Sequence, residues 1–98
     1  MFSVKVHNKY GETLVAACDI EILGKKFSEG DLELMVSGEF YGGQEASFEE
    51  ILCLAQDSSI ANFSGNNIVG QAIAAGIVDE EYVINIGGVK HAQIIELS

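Results

Sequence analysis

Thr13-Leu14-Val15-Ala16-Ala17-Cys18 is the stretch on which the fold turns. After Thr13 no polar side chain interrupts it, so an extended segment here is apolar on both faces. That is the pattern of a strand in the middle of a sheet. No apolar run in the chain is longer than the five residues from Leu14 to Cys18, far short of the ~18 residues of a membrane span.

The neighbouring segments supply the rest of a sheet. Phe2-Ser3-Val4-Lys5-Val6-His7 alternates apolar and polar residues, which predicts a strand with Phe2, Val4 and Val6 on the core face. Ser3, Lys5 and His7 are then expected to face outward. Asn8-Lys9-Tyr10-Gly11 reads as the turn of a hairpin returning through Glu12 to Cys18. Asp19 to Gly30 reads as an irregular connection. Leu32-Glu33-Leu34-Met35-Val36 alternates again, a third strand with Leu32, Leu34 and Val36 inward. Gly38, Gly42 and Gly43 bracket Phe40-Tyr41 as a short extended piece or loop.

Two helices follow. Ser47-Phe48-Glu49-Glu50 has the form of a capping box, in which the Ser47 hydroxyl and the Glu50 carboxylate each satisfy a free N–H. Phe48, Ile51, Leu52 and Ala55 recur at helical spacing as one buried stripe, and Asp57-Ser58-Ser59 ends the element. Gly65 to Ala75 reads as the second helix, with Ser64 as its N-cap and Val69, Ala72 and Ile73 inward. Gly76 is placed for a left-handed C-terminal cap, with Ile77 packing back. Tyr82 to Ile86 and Ala92 to Leu97 flank Gly87-Gly88 as a second hairpin. The predicted architecture is a single α+β domain over residues 1–98. It is a two-layer sandwich of a mixed or antiparallel sheet with two helices packed on one face.

Composition sets the limits on function. The 98 residues are 48% hydrophobic and 20% charged, with eleven Gly and no Pro, which excludes a disordered tail, a collagen repeat and a disulfide scaffold. A chain of this size buries roughly 65% of its unfolded surface, enough for a core without staples. The N-terminal residues lack the basic start and apolar stretch of a secretory signal, so Cys18 and Cys53 are expected as thiols in the cytoplasm.

Charge is more informative still. The net charge is −10, and every base is a Lys. Without the bidentate guanidinium fork, a polyanion is gripped only by point charges. Strong autonomous nucleic-acid binding is therefore not expected. From Phe27 to Val89 there are eleven acids and no base. Lys5, Lys25, Lys26 and Lys90 lie in the chain ends and form a candidate basic docking pole, set against the reading of a simply solvated surface.

Most chemical motifs fail on inspection. Gly65 to Ala72 has the glycine spacing of a phosphate loop, but Gln71 and Ala72 stand where Lys and a hydroxyl are needed. The two Cys lie far apart without companion ligands, so they read as small core residues and no metal is expected. No cofactor is implied. Two clusters survive. Phe40-Tyr41-Gly42-Gly43 suits tight packing or a ligand stacked on a ring. Gly87-Gly88-Val89-Lys90-His91-Ala92-Gln93 gathers backbone N–H groups, a cation, an imidazole and an amide, which suits a small anion or a hairpin turn in water. With Asn62 they make the candidate ligand set Tyr41, Gly42, Gly43, Asn62, Gly88, His91 and Gln93. No catalytic residue is assigned, because nothing near His91 in sequence supplies a nucleophile or an orienting acid.

Several segments, in this order, carry a family likeness: Val15-Ala16-Ala17-Cys18-Asp19, Leu23-Gly24-Lys25, Phe27-Ser28-Glu29-Gly30, Phe40-Tyr41-Gly42-Gly43, Ile60-Ala61-Asn62-Phe63-Ser64-Gly65, Gly76-Ile77-Val78-Asp79, and Ile86-Gly87-Gly88-Val89-Lys90-His91-Ala92-Gln93-Ile94. Across nearly its whole length the chain resembles the small archaeal domain-of-unknown-function family numbered 424. The resemblance implies an archaeal cytoplasmic protein with a compact two-layer fold and, from the family's general company, an association with the translation apparatus. The chain departs from the family pattern at Lys90, where the family tends to carry Pro before the His.

The expected function is a non-enzymatic binding or accessory module with a protein or ribonucleoprotein partner and no membrane contact. The alternative is a small enzyme or metabolite-binding protein whose pocket is lined by Tyr41, Asn62 and His91. A third reading is a homodimer formed through a sheet edge.

Overall fold

The alternating opening strand pairs with the all-apolar one as predicted. In the computed structural model, which describes residues 1–95, β1 (Phe2–Lys9) and β2 (Glu12–Asp19) form an antiparallel hairpin. It closes at Tyr10-Gly11, both with positive φ. β2 is central: its other edge pairs in parallel with β6 (Ile60–Ser64). β6 continues to β8 (Val89–Ile95), and β8 to β7 (Ile84–Ile86), both antiparallel. β5 (Gln44–Ala46) adds to the outer edge of β1, completing a six-stranded mixed sheet in the order β5-β1-β2-β6-β8-β7. β6 was not anticipated. Its five residues include Ala, Asn and Ser, which carry little strand preference alone, and its pairing depends on partners distant in sequence.

The two predicted helices cover one face. α2 (Phe48–Gln56) starts with both arms of the Ser47–Glu50 capping box formed. It buries Ile51 and Ala55, with Phe48 half-buried at the core's edge. α3 (Asn66–Ala74) buries Ile68, Val69 and Ala72. It ends as Gly76 predicts: Gly76 has a φ of +79°, and the Gly76 and Ile77 N–H groups donate to the Ile73 and Ala72 carbonyls. The layer beneath contains Phe2, Val4, Val15, Ala17, Ala61, Phe63 and Ala92. Complete burial of such side chains is worth about 1.5–3 kcal/mol for a Val or Phe and less for Ala.

The opposite face has its own cover, which the sequence reading did not supply. β3 (Lys26–Glu29) pairs with β4 (Leu32–Met35) in a separate two-stranded sheet. α1 (Gly38–Tyr41) is a single helical turn, where an extended piece or loop was expected. The Ser37 hydroxyl caps it by accepting the Phe40 N–H. These elements bring Phe27, Leu34, Val36, Phe40 and Tyr41 over Ala16, Cys18, Ile86 and Val89. The α+β class and the helices on one face stand, and β2 is apolar on both faces because both are buried.

Several finer expectations are corrected. Ser3 and His7 do not face solvent, because α1 covers that end of β1: Ser3 donates to the Tyr41 carbonyl and His7 Nε2–H to that of Phe40, each at 2.8 Å. Val6 and Leu32 are exposed rather than core residues. Only Phe27 in Lys26–Glu29 packs inward, too weak a period to mark a strand. Cys53 is exposed on α2, while Cys18 is buried. Tyr82 lies in a 3-10 turn (Glu80–Tyr82) rather than in β7. β8 begins at Val89; Glu96 and Leu97, placed in the last strand by the sequence reading, lie outside the described residues.

Ser64 is not the cap of α3 either. Gly65 occupies the N-cap position with a φ of +127°. The cap is the Asp19 carboxylate at the end of β2, which accepts the Asn67 and Ile68 N–H groups at 2.9 Å each.

Candidate functional site

Strand register decides which candidate residues can meet. Cross-strand partners share a face, so Ser3, Cys18, Ser64, His91 and Ile84 form one row across the sheet. Lys5, Ala16, Asn62 and Gln93 form the next. Both rows lie on the face that carries α1 and the β3–β4 hairpin. α1 covers β1 and β2, and Asn62, His91 and Gln93 lie beyond it, partly open to solvent.

Tyr41 reaches across from α1 into the first row. Its hydroxyl lies 2.9 Å from Ser64 Oγ, and Ser64 Oγ lies 2.8 Å from His91 Nδ1. The direction of this chain follows from counting protons. Tyr41 Oη has no other hydrogen-bond partner among the described residues, and Tyr41 is buried. Its proton is satisfied only by donating to Ser64, which then donates to His91 Nδ1. His91 is thereby the neutral tautomer with its proton on Nε2, pointing away from the chain.

Protonating His91 would turn the Nδ1 bond round, so that Ser64 Oγ accepts from both neighbours and its own buried proton has no acceptor among the described residues. Burial itself lowers the His91 pKa below the ordinary histidine value. The Tyr41 pKa is raised, chiefly by burial and against the lowering effect of its Ser64 hydrogen bond. The chain is thus locked neutral at both ends near pH 7.

Ser64 is the residue the sequence reading missed. Asn62 and Ser64 alternate with the apolar Ala61 and Phe63, and that pattern, read as a strand, would have placed Ser64 beside Asn62 on one face. Although next to a histidine, Ser64 has no exposed surface, so its hydroxyl positions the ring and cannot attack a substrate. Cys18, one strand over, is equally enclosed; burial, then Asp19 and Glu21, push its thiol up to about 12.

Asn62 and Gln93 face each other across β6 and β8, with no hydrogen-bond partner for either side chain among the described residues. The open strip thus offers two amides and an imidazole N–H within one or two residue spacings. It carries donors and acceptors but no formal charge.

The glycines of the candidate set do not join this strip. Gly42 ends α1, its N–H donating to the Gly38 carbonyl; a Cβ there would come within 2.6 Å of that oxygen. Gly43 lies against the Val4 backbone at the β5 edge, beside an open depression of about 420 Å³ lined by Val4, Lys5, Val6, Gly43 and Gln44. Gly88 lies in the β7–β8 turn toward the other edge, where its carbonyl accepts from the Asn66 side chain.

Lys5 and Lys90 of the candidate pole do not share a sheet face. Lys5 shares the face of Asn62, whereas Lys90 alternates with His91 and lies on the helix-covered face of β8. Lys26 is paired with Glu33 at 3.2 Å, and both are exposed. Among the described residues, no group of three or more His, Cys, Asp or Glu side chains could hold a metal ion, and no helix is long and apolar enough to cross a membrane.

A six-stranded mixed sheet with two helices on one face and a hairpin plus a helical turn on the other defines a small α+β protein class. The chain belongs to the family described as Protein of unknown function (DUF424), whose model matches residues 7–97. Its fold is similar to that of an uncharacterized conserved protein from Methanopyrus kandleri, known from a crystal structure. The TM-score is 0.75 at 22% identity, covering 95% of this chain and 89% of that one. No curated protein matches the sequence.

Proposed function

We propose that this protein is a non-enzymatic binding module that contacts a protein partner through the strip formed by Asn62, His91 and Gln93. The observation that carries this reading is the Tyr41–Ser64–His91 chain. It fixes the orientation and tautomer of a partly exposed imidazole while burying the Ser64 hydroxyl bonded to it. A rigid N–H donor flanked by two free amides recognises carbonyl and amide groups, such as those of a peptide backbone, without needing a charged partner. Tyr41 supports the strip from below and is too enclosed to line a pocket, which favours this reading over a metabolite site bounded by Tyr41, Asn62 and His91.

The test is affinity capture from lysate of the source cells, with and without its ribosome fraction, at low and moderate salt. The bait is the wild-type chain or an Asn62→Ala/Gln93→Ala variant. A protein retained at moderate salt by the wild type and lost by the variant is the expected result. Equal retention by both baits, or retention by neither, rejects the reading.

A further inference from the structure

A second surface lies at the opposite edge of the main sheet. β5 pairs with β1 on one side, and its other edge carries no strand among the described residues. Beside it runs α2, whose outward stripe is Glu50, Cys53, Leu54 and Asp57, at helical spacings i, i+3, i+4 and i+7. Between the strand and this stripe is an open groove of about 400 Å³, lined by Glu45, Ala46, Glu50, Cys53, Leu54 and Asp57 among others. Its floor is apolar and its ends are acidic. No lysine lines it, in keeping with the eleven acids and absence of bases from Phe27 to Val89.

We propose that this groove docks an extended, lysine- or arginine-bearing segment of a partner protein, which joins the sheet as an added strand on β5. An exposed edge strand offers unpaired backbone groups to such a segment, and a groove beside it selects alternate side chains. The dimensions agree. Glu50 and Asp57 are separated by about 10.5 Å along the helix. Side chains on one face of a strand recur every ~6.6 Å, so an apolar residue over Leu54 has neighbours on either side spanning ~13 Å. Cations at those two positions bracket the apolar floor and meet the acids at its ends. A second copy of this chain fits poorly, because it would bring its own acids to the same groove. Glu50 keeps one carboxylate oxygen in the capping box, leaving the other for the partner.

The test uses this protein and a short blocked Lys/Val peptide of the pattern Lys-Ser-Val-Ser-Lys, whose two cations and apolar residue share one strand face, followed by backbone amide NMR. Expected are shifts confined to residues 44–57 and saturable binding. A peptide of equal charge with Pro at alternate positions, which cannot donate ladder hydrogen bonds, should bind at least tenfold more weakly. Leu54→Lys should weaken the Lys/Val peptide at least tenfold. Glu80→Lys, on the exposed turn before β7, should change it less than threefold although it removes more negative charge. Shifts spread over the whole surface, equal binding of the Pro peptide, or equal losses in the two variants would show diffuse electrostatics and overturn the proposal. Absence of binding, or self-association through this edge, would also overturn it.

Discussion

Gly65 leaves open the space that the Asp19 carboxylate fills. A side chain at position 65 would collide with that carboxylate, and the residue's φ of +127° already disfavours any side chain. Three elements meet there: the end of β2, the end of β6 and the first turn of α3.

Gly65→Ala should therefore destabilise the protein by about 3 kcal/mol or more, through backbone strain and a buried clash. Asp19→Ala should cost about 1–2 kcal/mol, the usual loss for a helix cap. The two effects should not add: in the Asp19→Ala background the clash is gone, so the Gly65→Ala step should cost less than in the wild type. Urea unfolding midpoints of the four proteins measure this, and strict additivity would refute the shared-space account.

Ser64→Ala should cost about 1–3 kcal/mol, because it strands the Tyr41 hydroxyl in the core. Tyr41→Phe alone should cost about 1 kcal/mol, and adding it to Ser64→Ala should recover part of the loss. Tyr41→Phe leaves His91 as buried as before, so the His91 pKa should stay below its ordinary value. Imidazole nitrogen NMR reads both the pKa and the tautomer; a wild-type ring with its proton on Nδ1 would contradict the derived direction of the chain.

Acid should destabilise the fold through His91. Its folded-state pKa lies below the ordinary 6.5, so between the two values the unfolded chain takes up the proton more readily. Stability therefore falls as pH drops from 6.5 through the lowered folded value. His91→Gln should flatten that part of a stability–pH profile, and an unchanged slope would count against it.

Alkali acts through Cys18. The unfolded thiol ionises near 9.0 and the folded one at about 12, so unfolding releases a proton in that window and stability falls as pH rises through it. Cys18→Ala should lower stability at neutral pH but flatten the decline above pH 9. With a thiol reagent at neutral pH, exposed Cys53 should react at once and buried Cys18 only on unfolding. Two rapid equivalents in the native protein would be inconsistent with the burial of Cys18.

Short single-stranded RNA and DNA oligonucleotides should bind no more tightly than the micromolar range at physiological salt. The net charge is −10, and Lys5 and Lys90 lie on opposite faces of the sheet. Fluorescence anisotropy gives the answer, and nanomolar binding would contradict it.

The features legible in the sequence are those written by neighbouring residues. Ser47 and Glu50 announce a helix start, Gly76 a helix end, and Gly87-Gly88 a tight turn, each through contacts within a few positions. The cap of α3 was misread because the acceptor comes from Asp19, whereas nearby Ser64 uses its hydroxyl on Tyr41 and His91. The β3–β4 hairpin was half seen, since Leu32 is apolar without being buried and Phe27 alone marks its partner. The same limit holds at the candidate site. Asn62, His91 and Gln93 could be nominated by residue type, but their sharing of one face depends on the β6–β8 register, which no local pattern encodes.

The parallel seam between β2 and β6 also governs how the chain can assemble. The opening hairpin forms from residues close together, yet Leu14 must wait for Ile60, and the closing hairpin docks only after that. Such long-range pairing slows folding. On a translating ribosome, the most apolar strand of the molecule would remain bare along one side until Ile60–Ser64 has emerged. This is the interval in which the nascent chain is most exposed to mispairing or to a chaperone.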